Sequence, residues 1–536
     1  MVLVLLGFCF VVYFLNLGQW DLWNPDEPRY AQVAREMVQG RDWVLMHFNG
    51  RTYGDKPPLF FWLIALSSYL WQGFTSFSAR FPSALFGTLA VLITFLLGKK
   101  LFDPQTGFLS GLILATSTEF AYLSTRANID ATLTFFTTAS LLCFLQWYLW
   151  NQQHLDGRRD IGKLSIYGFY VGMALATLTK GPVGFILPLL VSLIYLIILK
   201  DWKTMKAMRL LSGMLLFLVI VLSWYFPAVL SGGRSYLQET LFKHTVEAYA
   251  EGWTHVQPIY YYLYNFPVDF LPWFLFLPAA IAYGYSAETV QRRKELLFLL
   301  IWFIVIFCFF SLSKGKRGLY LLPLFPAVSL IVGNLWKGFI FTPMKNFRRE
   351  WVSLPLYGLT GLILLAGVAA PGVVYKKLPS YVAYSLPVAF LMVGSSIALF
   401  FLYRHRKYGT LFLFFVGVMG ASLFYTERVV FPLINPFKSA RFISQEVKSL
   451  IQPEGKLCVY GGIGTGPYNF YSGIVPILEL EKKEDLFHLL NSSQKVFCIL
   501  KFRDFSYFQT LPEAPKVRVI KRQGVGHNDI ILISNQ

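Results

Sequence analysis

The hydrophobic positions of this chain fall into long, nearly uninterrupted runs, not into the alternating or striped patterns of soluble elements. Thirteen segments are apolar over enough residues to cross about 30 Å of hydrocarbon as helices. They are roughly 2–18, 80–98, 107–124, 130–150, 164–180, 183–199, 208–229, 264–285, 296–313, 319–336, 353–374, 384–403 and 408–425. The stretch 58–73 is shorter and rich in Trp and Tyr, which predicts a helix lying at the interface. Residues 2–18 lack a cationic leader and a small-residue cleavage site, so they read as a retained span and not as a signal peptide.

The loops between these runs set an orientation. One alternate set carries Lys99 and Lys100; Arg158, Arg159 and Lys163; and Lys200, Lys203, Lys206 and Arg209. The same set continues with Arg292, Arg293 and Lys294; Lys345, Arg348 and Arg349; and Arg404, Arg406 and Lys407. Basic loops stay in the cytoplasm, which places the N-terminus inside and the C-terminus outside. Residues 19–79, 230–263 and 426–536 are then the long outer segments.

Composition agrees with the pattern. Of 536 residues, 55% are hydrophobic and 14% charged, too few charges to cover a soluble surface of this size. The net charge of +19 belongs to the orienting loops, and no soluble nucleic-acid recognition motif accompanies it. The chain divides by composition into a membrane domain, 1–425, and a C-terminal domain, 426–536. In the latter, KLCVY (456–460) and KVFCIL (495–500) read as strands and EKKEDLFHLLN (481–491) as a helix, giving a small α/β unit. GGIGTG (461–466) lacks the spacing of a dinucleotide loop and a phosphate-loop lysine, so it reads as a turn after a strand. Cys9, Cys143 and Cys308 lie in apolar runs; Cys458 and Cys498 either pair or sit as buried strand residues.

Candidate chemistry lies in the outer segments. WNPDEPRYAQVAREM (23–37) carries Asp26 and Glu27, followed by Arg29 and Tyr30. Ala31, Ala34, Met37 and Val38 recur at helical spacing, predicting an amphipathic helix on the membrane surface. Asp26 before Pro28 also fits a helix cap, but a cap explains one acid and not the acid pair. YGDKPP (53–58) presents Asp55 and Lys56 beside two prolines. Arg126, Asn128 and Asp130 mark an outer junction, Lys180 ends a span at LTKGP (178–182), and Lys314, Lys316 and Arg317 fill SKGKRGLY (313–320). Three cations on the outer side run against the orienting bias, and an anionic ligand such as phosphate explains them. His244 in FKHTVEAY and His255 in THVQPIYYY, with Asp55, form a candidate oxygen and nitrogen set for a divalent metal, though no close ligand spacing points to one. No HExxH, GxSxG or D-x-D occurs. With no soluble nucleotide machinery outside, the donor is expected to be a lipid phosphate, and carboxylates beside cations suit group transfer from it.

These motifs, taken in order with ANID (127–130) and SLSKGKRGLYLLP (311–323), are similar to bacterial 4-amino-4-deoxy-L-arabinose lipid A transferases. Those enzymes stand with the protein O-mannosyltransferases among the GT-C membrane glycosyltransferases. The resemblance covers residues 20–340 and continues only in layout beyond them. It implies an α-helical polytopic GT-C protein of about thirteen spans, with periplasmic amphipathic helices and an undecaprenyl-phosphate sugar as donor. Asp26 matches the family's essential first-loop acid and Asp130 a second important acid. Tyr53, Lys56, Lys180 and Tyr320 match residues near the donor phosphate. Asp55 stands where the arabinose transferases commonly carry Glu, which changes the reach of that carboxylate. The expected function is sugar transfer in the inner membrane from a polyprenyl phosphate to a periplasmic acceptor, lipid A phosphate foremost, with inversion. The alternatives are transfer to hydroxyl acceptors as in the mannosyltransferases and, from another class, transport of a lipid or sugar. A transporter would carry its ionisable groups at mid-membrane and show repeated halves, neither of which is visible here.

Overall fold

The computed structural model describes residues 1–153, 161–240, 255–286, 290–341, 347–452 and 455–536. The protein is a multi-pass helical membrane protein with a small C-terminal sheet, and every one of the thirteen apolar segments is helical. Among the described residues, eight helices are long and apolar enough to cross a membrane, nine if one bent pair counts as a single span. Val2–Phe14 and Val183–Ile198 are shorter apolar helices. The stretch expected at the interface is the helix Leu59–Leu70.

Two segments expected to be straight are broken. The run 264–285 consists of Tyr261–Asp269 and Trp273–Tyr285, bent by 106°. Pro272 cannot donate a backbone hydrogen bond there. The Val268 carbonyl, four residues before it, accepts from the Leu271 amide at 3.2 Å, and the Leu271 carbonyl accepts from the Thr118 amide and hydroxyl, at 3.1 and 3.0 Å. The run 107–124 likewise divides into Pro104–Thr116 and Thr118–Ser124, with Ser117 extended between them. At the other end of the first piece, Asp103 caps the helix by accepting from the Thr106 amide at 2.7 Å, and it pairs with Lys337 at 3.2 Å.

The described coordinates form two compact units. One comprises residues 1–16, 55–59 and 83–426; the other comprises 17–54, 60–82 and 427–536. The C-terminal segment thus shares its unit with most of the first long loop.

In the second unit, a short hairpin joins β1 (His47–Phe48) to β2 (Arg51–Thr52). The main sheet holds β3 (Lys456–Tyr460), β4 (Leu478–Leu480), β5 (Val496–Lys501), β6 (Arg518–Val525) and β7 (Asn528–Ser534), in the order β4-β3-β5-β7-β6. β3 runs parallel to β4 and β5, whereas β7 is antiparallel to β5 and β6. Apolar clusters cover both faces, one around Ile443, Val459 and Leu532 and one around Leu486, Cys498 and Phe505. The helix expected in 481–491 is Lys483–Leu490. Cys458 and Cys498 are buried, free and in register on adjacent strands. Of the two alternatives the structure takes the buried thiols, and burial raises the Cys498 thiol well above its ordinary range. GGIGTG is the turn after β3, and it leads into the helix Gly466–Ser472.

Candidate active site

Within the first unit, three separate motifs meet on one ammonium. Lys180 is the last residue of the helix Ile161–Lys180, and Gly181 follows at φ +85°, a conformation that glycine adopts freely. Pro182 then opens the next helix, so the lysine is held at a tight turn. Its ammonium donates to the carboxylate of Asp130 and stands 4.4 Å from the ring centre of Tyr320. Asp130 lies in the first turn of Ile129–Gln153, where its own amide donates to the Asn128 side chain at 2.8 Å. Asn128 is in turn tied by backbone hydrogen bonds to the Ser83 hydroxyl, 2.9 and 3.2 Å long. Lys56 and Arg317 lie within electrostatic range of the Lys180 ammonium. Asp130 is almost wholly buried, and such a pair is held only where geometry and further hydrogen bonds compensate desolvation.

The other cations of this unit divide between the cluster and its scaffold. Lys56 donates to the carboxylate of Asp55 at 2.8 Å. Arg126 is buried with its guanidinium 4.6 Å from the Tyr122 ring centre. Lys316 turns inward, donating to the carbonyls of Gln257, at 2.9 Å, and Ser313. Its amide also bonds the His255 carbonyl at 2.9 Å, and burial lowers its ammonium from the usual lysine range. Lys316, a candidate phosphate ligand, ties the 313–317 turn to the 255–257 segment, where Val256 and Gly315 form an isolated bridge. Arg317 accepts at its carbonyl from the Tyr262 hydroxyl, at 3.1 Å.

Of the candidate metal set, His255 and Asp55 lie among the described residues. His255 contributes a backbone carbonyl to the turn and Asp55 is engaged by Lys56. His244 lies outside the described residues. Among the described residues, no three His, Cys, Asp or Glu side chains converge as a metal ion needs.

Sequence reasoning missed two acids of this unit. Glu119 has Asp269, Asp130 and Arg317 as electrostatic neighbours, and Asp269 bonds the Asn265 amide. A Cβ at Gly318 would come within 2.8 Å of Asp269 and 2.6 Å of Asn265, so the glycine admits both. The available signal was an acid inside an apolar run.

Within the second unit, the helix Asp26–Gly40 carries the acid pair. Asp26 is its first residue and not its cap; the cap position is Pro25, which offers no side-chain bond. The Asp26 carboxylate accepts from Arg29 at 2.9 Å. Glu27 plays a different part. Its two oxygens accept from the fully buried Arg80 at 2.7 and 2.9 Å, and one accepts from the Trp23 amide at 2.9 Å. Arg80 also donates to the carbonyls of Leu17, Trp20 and Asp21, and lies 4.4 Å from the Trp20 ring centre. This is a structural ion pair that fixes the loop before the helix. Tyr53 is buried with its ring edge-on to Phe48 and Phe61. Tyr30 to Ala34 are buried without interruption, so the helix is enclosed in protein around most of its first half.

Comparison with known proteins places this architecture. Residues 1–232 match the family described as Dolichyl-phosphate-mannose-protein mannosyltransferase. The undecaprenyl phosphate-alpha-4-amino-4-deoxy-L-arabinose arabinosyl transferase of Pseudomonas paraeruginosa (strain DSM 24068 / PA7) is 32% identical over 394 residues, 72% of this chain and 67% of that one. The enzyme of the same name from Pseudomonas aeruginosa (strain LESB58) is 33% identical over 60% of this chain and 57% of its own length. ArnT from Cupriavidus metallidurans, crystallised with undecaprenyl phosphate, has the same fold at a TM-score of 0.82 and 20% identity, over 100% of this chain and 98% of that one. The chain is a membrane glycosyltransferase and belongs to the family of the bacterial undecaprenyl phosphate-alpha-4-amino-4-deoxy-L-arabinose arabinosyl transferases.

Proposed function

We propose that this protein transfers 4-amino-4-deoxy-L-arabinose from undecaprenyl phosphate to a phosphate of lipid A at the periplasmic side of the bacterial inner membrane. The observation that carries the donor assignment is the Lys180 ammonium held between Asp130 and Tyr320, with Lys56 and Arg317 in electrostatic range. As the sugar leaves, the electron pair of the breaking C1–O bond passes to the polyprenyl phosphate, whose charge rises. Preorganised cations stabilise that charge more than they stabilise the ground state. The acceptor oxygen forms its bond to C1 from the opposite face, which inverts the anomeric centre. Asp26 orients the acceptor. A phosphate acceptor is already ionised and needs little base catalysis, whereas a hydroxyl acceptor would pass its proton to the Asp26 carboxylate. The basic loops support the orientation, with the C-terminal domain in the periplasm.

Transfer to a protein hydroxyl is the second reading, favoured by the mannosyltransferase family match over residues 1–232. Mass spectrometry of envelope lipids and proteins from cells with and without the enzyme separates the two. The first reading expects lipid A to gain the mass of an amino-pentose only when the enzyme is present. Unchanged lipid A beside newly glycosylated protein would replace it with the second.

A further inference from the structure

The C-terminal domain takes no part in the chemistry proposed for the cations and Asp26, and its GGIGTG turn has no assigned role. The second unit shows what that region touches. The chain entering the Asp26 helix is gripped by three C-terminal side chains. Asn435 accepts at its amide oxygen from the Asp21 amide, at 3.1 Å, and from the Trp23 indole, at 2.8 Å. Its amide nitrogen donates to the Asp21 carboxylate at 2.8 Å. The Tyr471 hydroxyl accepts from the Leu22 amide at 2.6 Å and donates back to the Leu22 carbonyl at 3.3 Å. Arg441 adds an ion pair to Asp21 at 3.2 Å.

The body of the helix is seated on the same domain. Gly466, the last glycine of the GGIGTG turn, lies so close to Arg29 that an added Cβ would sit 3.2 Å from the Arg29 Cα and Cβ. Arg29 is the residue that holds the Asp26 carboxylate. Further along, Arg35 donates to the Phe470 carbonyl at 2.7 Å and lies 4.1 Å from the centre of the Phe470 ring. The loop after the helix is fixed as well. The Asn49 side chain bonds the amide and carbonyl of Ile477 at 2.7 and 2.9 Å, and accepts from Asn469 at 2.9 Å.

We propose that the C-terminal domain is a working part of the active site, with Asn435 and Tyr471 as positioning residues that set the place of Asp26. The claim rests on the catalytic role read for Asp26 above. Three hydrogen bonds from Asn435 and two from Tyr471 converge on residues 21–23, within one turn of the helix start. Neither side chain touches a reacting atom; they act through the backbone that leads to the carboxylate. A displacement of about 1 Å in such a group costs on the order of 10²-fold in rate.

The test uses the full-length protein in lipid nanodiscs and compares Tyr471→Phe, Asn435→Ala and their combination with Asp26→Asn. Binding of undecaprenyl phosphate, kcat, and hydrogen exchange of residues 20–40 are read for each. The double variant is expected to lose roughly tenfold to a hundredfold in kcat, to bind undecaprenyl phosphate as the wild type does, and to exchange faster in residues 20–40 alone. A shape-conserving Tyr471→Phe is expected to show the same signature in weaker form, which a general loss of folding would not produce. Wild-type kcat in the double variant, with Asp26→Asn inactive, overturns this proposal and leaves the reading of Asp26 standing. Wild-type turnover in Asp26→Asn removes that reading and this proposal with it.

Discussion

At the scale of single residues, the acids found from sequence separate by what engages them. Asp26 starts its helix without capping it and accepts from Arg29. Asp26→Asn keeps the shape and an acceptor for Arg29 while removing the charge. We expect it to fold, insert and bind undecaprenyl phosphate, and to slow transfer by about 10²-fold or more; wild-type turnover in a purified assay would move the acceptor role to Asp130. The Lys180–Asp130 pair calls for a different experiment, because Asp130 is buried and the Lys180 side chain is only 11% exposed. Asp130→Leu alone leaves a largely buried ammonium and is expected to cost about 3–5 kcal/mol of stability. Adding Lys180→Met should restore most of the thermal midpoint without restoring transfer. Recovery of both would make the pair structural. Asp26, Asp130 and Lys180 were legible in sequence because each breaks its local rule, either a charge at a span end or an acid beside another acid. The ion pair of Glu27 was not legible, because Arg80, its partner, is 53 residues away and gives no local signal.

At the scale of elements, the helices follow the apolar runs, but two breaks within them do not. The extended residue Ser117 lies in the polar stretch TSTE (116–119) inside an apolar run, and the bend at 270–272 directly follows Asp269. Pro272 marked the second break weakly, since prolines occur within spans wherever a neighbour takes up the freed carbonyl. At this break the Val268 carbonyl accepts from the Leu271 amide and Thr118 bonds the Leu271 carbonyl, a pairing that hydropathy cannot supply. The helix Pro104–Thr116 offers a pH test. Burial pushes the Asp103 carboxyl up, but the Thr106 amide and Lys337 outweigh it and hold the group below its ordinary range. A carboxyl lowered on folding stabilises fully above its unfolded pKa, and the contribution fades as pH falls through the lower native value. Asp103→Ala is therefore expected to cost about 1 kcal/mol near neutrality, with the difference from wild type shrinking in acid thermal melts. A gap that widened on acidification would contradict the assignment.

At the scale of the whole molecule, span count and loop charge predicted a membrane protein with a C-terminal α/β unit, and this much the structure and its relatives share. What hydropathy could not supply is the grouping of residues 17–54 and 60–82 with 427–536. Composition assigns a segment to lipid or water, and it carries no information on which water-facing segments pack together. Orientation can be checked directly: reporter fusions at Arg293 and Arg404 should report cytoplasm, and a fusion after Phe424 the opposite side. A cytoplasmic signal after Phe424 would reverse the orientation and exclude a periplasmic acceptor.

The hydrogen bonds between Leu22 and Tyr471 join positions 449 residues apart. During synthesis the helix bearing Asp26 leaves the ribosome among the first segments, yet the side chains that seat it follow only after roughly 20–90 s at about 5–20 residues per second. Through that interval the nascent chain holds Asp26 without the hydrogen bonds that Asn435 and Tyr471 make to residues 21–23. A message cut short, or a translocation that fails late, leaves a membrane-inserted fragment with no working transferase. The late half of the chain thereby serves as a completeness check on the early half, and a split version should gain turnover only when both pieces are made in the same cell.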